Sequence, residues 1–126
     1  MSRNSNYWDT NPYFKEKEFS CKCGCDFNNI DSNLLTMLSN AREDSKTPFN
    51  INSACRCEKH NKAVKGSDSS SHLKGFAVDI RVDNSVHRFK ILQSLVLVGF
   101  RRIGVYKNFI HCDNDNDKVQ NVIWYK

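Results

Sequence analysis

Ser71-His72-Leu73-Lys74-Gly75-Phe76-Ala77-Val78-Asp79-Ile80 sets a polar turn directly before an alternating run. Phe76, Val78, Ile80 and Val82 alternate against Ala77, Asp79, Arg81 and Asp83, which predicts a half-buried strand with Asp79 facing away from the apolar side. A second stretch, Phe109-Ile110-His111-Cys112-Asp113, predicts another strand on which His111 and Asp113 share one face, being two positions apart. His72 lies in the approach to the first strand. It is too far from Asp79 for neighbouring positions on a helix face, but a turn at Gly75 could bring the two side chains together. His72, Asp79 and His111 form a donor set suited to zinc, with a fourth position left for water or substrate.

Outward from this centre the periodicity changes. Leu34, Leu35, Leu38 and Ala41 fall on one helical face, Asp31 can cap its first turn, and Pro48 disfavours continuation. Phe49-Asn50-Ile51-Asn52 alternates as a short strand delivering Arg56 to a surface, and residues 58–64 read as a helical turn. The run Gly66-Ser67-Asp68-Ser69-Ser70-Ser71 is a loop. A second helix is expected from Ser85 or Val86 to Val98, ending near Gly99 and burying Val86, Phe89, Leu92 and Val96. Two strands flank Lys107-Asn108, Asn114-Asp115-Asn116-Asp117 is a turn, and a last strand runs through Val122, Ile123, Trp124 and Tyr125. The fold class is α+β, a small, mostly antiparallel sheet with helices on one face. Residues 1–18 read as an irregular arm packing on the domain through Tyr7, Trp8, Tyr13 and Phe14, with Phe19 just beyond, and 19–126 as a single domain.

The 126 residues support one domain with a modest core. No apolar run approaches the roughly 18 residues of a membrane span, so no transmembrane segment is expected. Met1-Ser2-Arg3-Asn4-Ser5-Asn6 leads into no apolar segment, which predicts no secretory signal and synthesis in the cytoplasm. The net charge of +5 permits attraction to nucleic acid, phospholipid or a bacterial wall, but the lysines are scattered and no nucleic-acid module emerges. A monomer that binds no nucleic acid is expected. Cys21, Cys23, Cys25, Cys55 and Cys57 form two tight clusters while Cys112 stands alone. Reduced thiols, disulfides between the clusters and a structural metal site are three open readings; Cys-Lys-Cys-Gly-Cys and Cys-Arg-Cys lack the usual two-residue gap of a zinc knuckle.

Four ordered segments carry a resemblance. They are Phe14-Lys15-Glu16-Lys17-Glu18-Phe19-Ser20-Cys21-Lys22-Cys23-Gly24-Cys25; Ile51-Asn52-Ser53-Ala54-Cys55-Arg56-Cys57-Glu58-Lys59-His60-Asn61-Lys62-Ala63-Val64; Ser71-His72 through Asp79; and Phe109 through Asp113. Together they resemble the zinc D-Ala-D-Ala carboxypeptidase-like peptidases, family M15, within the wider group of lysostaphin-type enzymes and the hedgehog signalling domain. The resemblance implies a hedgehog/DD-peptidase-like fold, His72, Asp79 and His111 as ligands of Zn2+, and Arg56 binding a substrate carboxylate or polarising the reacting amide. Arginine suits that task through its two directed hydrogen bonds, and the ordinary alternative is a salt-bridged surface arginine. Ser71 suits bracing a ligand or simply a turn.

One departure stands out. Many relatives carry an acidic general base three positions before the final zinc histidine and a second histidine two positions before it. Here those positions hold Asn108 and Phe109, neither of which can replace an acid–base group. Asp113 is the nearest acidic candidate for the base, and orienting a ligand is its other reading. Asp115 and Asp117 are less constrained loop candidates, while His60 and His87 read as structural or surface residues. The expected function is zinc-dependent cleavage of a peptide bond in a peptidoglycan stem peptide or cross-bridge, by a carboxypeptidase or an endopeptidase. The asparagine-rich composition suits a phage or other viral endolysin that reaches the wall after release or delivery, including as part of a virion. The alternative is a non-catalytic wall-binding or virion structural protein that retains the fold.

Overall fold

The computed structural model describes residues 6–126. In chain order the elements are α1 (Asn6–Thr10), α2 (Glu16–Phe19), α3 (Ser32–Ser45), β1 (Ile51–Ser53), α4 (Glu58–Ala63), β2 (Ala77–Arg81), α5 (Ser85–Leu97), β3 (Arg102–Val105), β4 (Phe109–Asp113) and β5 (Val122–Tyr125). The strands form one sheet in the order β1-β2-β4-β3-β5, antiparallel except for the β3–β5 pair. The fold is therefore α+β with a mostly antiparallel sheet.

Caps explain where the long helices begin and end. The Asp31 carboxylate accepts from the Leu34 amide at 3.0 Å, and Asn84 accepts from the His87 amide at 2.8 Å, each satisfying a donor of a first turn. Lys46 closes α3 in the left-handed region (φ 52°), and Gly99 (φ 104°) follows α5. α3 packs along α5. Val78 and Ile80 of β2, Ile103 of β3, and Ile110 and Cys112 of β4 join Leu34, Leu38, Ile91 and Leu95 in one buried cluster. The intervening strand positions point to the opposite face, where polar side chains collect.

Three expectations need correction. The N-terminal stretch is not irregular: it holds α1 and α2, and Asn11 Oδ1 turns the chain between them by accepting from the Tyr13 and Phe14 amides, both at 2.8 Å. Trp8, Phe14 and Phe19 are buried, with Trp8 tilted against Phe19 and Phe14 edge-on to it, both at 5.3 Å, whereas the Tyr7 side chain lies outside the described residues. β1 begins later than Phe49 and ends at Ser53. On α5 the expected inner face is largely the outer one, with Val86, Phe89 and Val96 exposed while Ile91, Ser94 and Leu95 are buried. Apolar residues occur around much of this helix, so periodicity alone left its rotation undetermined. Ser94 decides the inward face by donating to Asp44 of α3 at 2.7 Å.

This rotation has a measurable consequence. Ile91→Ala should lower unfolding free energy by about 2–5 kcal/mol, the usual cost of truncating a fully buried side chain. Val86→Ser, on the outer face, should stay within about 0.5 kcal/mol of wild type. Urea unfolding of both variants would reveal the reverse order if the helix were turned as the periodicity suggests.

Candidate metal centre

Strand register assembles the centre. Across the sheet, Ser53 of β1 pairs with Asp79 of β2, Asp79 with His111 of β4, His111 with Gly104 of β3, and Gly104 with Trp124 of β5. One row of side chains thus crosses the polar face. His72 enters from the loop. Gly75 makes that entry feasible, since its φ is 77° and a Cβ there would stand 2.0 Å from the Asn29 carbonyl oxygen. The turn is pinned where the Asp31 amide donates to Gly75 O at 2.9 Å.

His72 Nε2 and His111 Nδ1 both approach Asp79 Oδ1, at 3.3 and 3.0 Å. The candidate ligand atoms of the three residues all lie within 4.8 Å of one another. Zinc arms of about 2.0–2.1 Å give tetrahedral edges of about 3.4 Å, so the set is compact enough to share one ion. The other ring nitrogens are committed. His72 Nδ1 lies 2.8 Å from the Ala54 carbonyl oxygen, to which it can donate only as the Nδ1–H tautomer, leaving Nε2 as the lone-pair nitrogen. His111 Nε2 lies 2.7 Å from Asp113 Oδ2. Each imidazole is therefore oriented from its far side, the arrangement that keeps a metal-binding histidine in one tautomer.

The charges fit the same picture. Burial disfavours ionised Asp79, but hydrogen bonds and charge from His111 and His72 outweigh it and hold the carboxyl well below its usual range. Burial likewise opposes protonation of His111, yet Asp113 and Asp79 raise it to about 9. In the metal-free protein this raised value means that the His111 ion pairs stabilise fully below its ordinary 6.5 and are lost as pH climbs through about 9. A metal ion taking Nδ1 competes with that proton. Below about pH 9, metal binding should release a proton from His111, and affinity should rise with pH. Calorimetry in buffers of different ionisation enthalpy measures the release, and a buffer-independent heat at pH 7 would contradict it.

The expected Asp113 lies on the same face as His111 and is almost wholly buried. Its Oδ2 meets His111 Nε2, while Oδ1 accepts from Arg102 Nε at 2.8 Å and from the Asp115 amide at 3.1 Å. Its contact is with the ring nitrogen remote from Asp79. Arg56 is half-buried one step from the row. Its amide donates to His72 O at 3.2 Å, Nη2 donates to Ser53 Oγ at 3.4 Å, and Nη1 donates to Asn61 Oδ1 at 2.9 Å. Its Nε is buried with no partner. Gly66 leaves the space for this pairing, because a Cβ there would stand 2.1 Å from Asn61 Oδ1.

The other candidates are placed elsewhere. Ser71 donates to Asp115 at 2.7 Å, and Lys74 pairs with Asp115 at 3.1 Å, bracing the His72 loop from either side of the histidine. Asp117 is exposed, His87 Nε2 lies 3.0 Å from Pro48 O, and His60 sits on α4. Asn108 is exposed in the β3–β4 turn, and Phe109 stacks on Tyr106 at 4.4 Å. Sequence reasoning missed Arg102, Trp124, Ser53 and Asn61. Arg102 lies over the Trp124 ring at 5.1 Å, and that ring packs on His111 and against Gly104. No local spacing announces these residues, because strand pairing brings them in.

Residues 12–113 match a protein family described as Peptidase M15. No curated protein matches the chain.

Proposed function

We propose that this chain, which belongs to the peptidase M15 family, is a zinc-dependent peptidase that cleaves a peptide bond in bacterial peptidoglycan. One observation carries the reading: His72 Nε2, Asp79 Oδ1 and His111 Nδ1 converge while both imidazoles are held from behind. The donor set of two imidazoles and one carboxylate fits zinc and leaves room for a reacting group. Zinc bound there would polarise the scissile carbonyl and increase the acidity of water. Arg56, with a spare buried Nε–H, would grip a carboxylate of the stem peptide, and Ser53 and Asn61 would keep its guanidinium aimed. Of the two roles expected for Asp113, its contacts favour orienting His111 over accepting a proton from water.

Mass spectrometry of peptidoglycan fragments after digestion by zinc-loaded protein tests the reading and identifies the bond cut. Uncut wall and uncut stem peptides across metal and pH conditions would sink it. A second reading rests on Asn108 and Phe109, where many relatives carry acid–base groups: a wall-binding protein that holds zinc without hydrolysis. Stoichiometric zinc, retention on wall sacculi and no product would favour that reading.

A further inference from the structure

The cysteines of the two clusters do not scatter in the fold. Cys21, Cys23 and Cys25 come from the tight loop after α2, Cys57 comes from the N-terminal cap of α4, and the four sulfurs lie within 4.8 Å of one another. Cys21 Sγ stands 3.5 Å from Cys23 Sγ and 3.7 Å from Cys57 Sγ, and Cys23 Sγ stands 3.7 Å from Cys57 Sγ. Zinc–thiolate arms of about 2.3 Å give tetrahedral edges of about 3.8 Å, close to these separations. From this juxtaposition we infer a structural zinc site made by Cys21, Cys23, Cys25 and Cys57, separate from the His72–Asp79–His111 centre.

The loop explains how closely spaced cysteines can share one ion. Gly24 (φ 93°) and Asp26 (φ 65°) reverse the chain through the left-handed region, and the Gly24 amide donates to Cys21 O at 3.3 Å. The usual two-residue gap is thereby unnecessary. Two backbone amides already point at the sulfurs: Cys57 N–H donates to Cys21 Sγ at 3.4 Å and His60 N–H to Cys57 Sγ at 3.3 Å. Such donors offset the negative charge that four thiolates bring to a divalent ion, and the cysteine S–H protons pass to solvent as the metal binds. The remaining cysteines stay outside: Cys55 is buried and donates to Asn28, and Cys112 is buried in the core cluster. A four-sulfur set with no open position is the pattern of a closed, structural site.

The zinc ties the loop at 21–25 to the segment 54–57. That segment supplies the Ala54 carbonyl facing His72 Nδ1 and the Arg56 amide bonded to His72 O. The site therefore steadies the strip from which both His72 and Arg56 are positioned.

The test uses the full chain carrying His72→Ala, purified under reducing conditions, so that retained metal reports the cysteine site whether or not the protein is a peptidase. One zinc per chain is expected, released in step with an organomercurial blocking the thiols. Cobalt in its place should show sulfur-to-metal charge-transfer absorption and intense tetrahedral visible bands. Adding Cys23→Ser and Cys25→Ser, both at exposed positions, should remove that zinc and lower the melting temperature. If these further variants fail to fold, the cobalt spectrum of the His72→Ala chain decides alone. Less than stoichiometric zinc, another resident metal, or cobalt bound without thiolate bands overturns the inference.

Discussion

On the proposed function, His72→Ala should reduce peptidoglycan cleavage by roughly 10²–10³-fold, the scale on which loss of one main transition-state stabiliser acts. The expectation follows from the convergence of three candidate ligand atoms, with His72 offering Nε2 and its tautomer set by Ala54. Alanine leaves Asp79 and His111 alone, too few donors for a stable zinc site. The fold should tolerate the change better than the chemistry does, because His72 enters from a loop and not from the apolar cluster. Steady-state cleavage of a defined stem peptide, with metal content and a thermal melt on the same preparation, makes the measurement. Activity within a few-fold of wild type in a folded variant would remove His72 from the centre.

Asp113→Ala should be strongly destabilising. Asp113 is almost fully buried, and Arg102, its partner at 2.8 Å, is only 12% exposed. Truncation leaves that guanidinium desolvated without a countercharge, which costs about 3–5 kcal/mol. It also frees His111 Nε2, and loss of such an orienting carboxylate weakens metal binding by about 10–100-fold. Asp113→Asn separates the two effects, because the amide oxygen can still accept from Arg102 while the charge is gone. Denaturant unfolding and zinc competition on both variants would read the outcome. An alanine variant as stable as wild type would show that Arg102 finds another partner. One that keeps its zinc affinity would show that His111 needs no support from behind.

Much of the frame was legible in the chain. Asp31 announced the start of α3, and the alternation through Val78, Asp79 and Ile80 announced β2 because one face of that strand must be apolar. His111 and Asp113 were readable as one face from their spacing alone, and their side chains do meet at 2.7 Å. The rotation of α5 was not legible, since Ile91 and Leu95 compete with Val86, Phe89 and Val96 and only packing against α3 chooses between them. The arm was misread because α1 and α2 are too short to carry a periodic signal, their turns being set by single groups such as Asn11 Oδ1.

The sequence by itself determined the donor chemistry: which residues can bind zinc, which can grip a carboxylate, and which positions lack an acid–base group. Those are properties of side chains and survive any fold. Tertiary structure alone decided which of them meet. The Asp79–His111 register, the Gly75 turn that admits His72, and the Arg102 and Trp124 neighbours come from strands far apart in the chain. The gathering of Cys21, Cys23 and Cys25 onto Cys57 is of the same kind. Spacing rules describe distances along the backbone, whereas a metal ion responds to distances across space, and a left-handed turn or a paired strand converts one into the other.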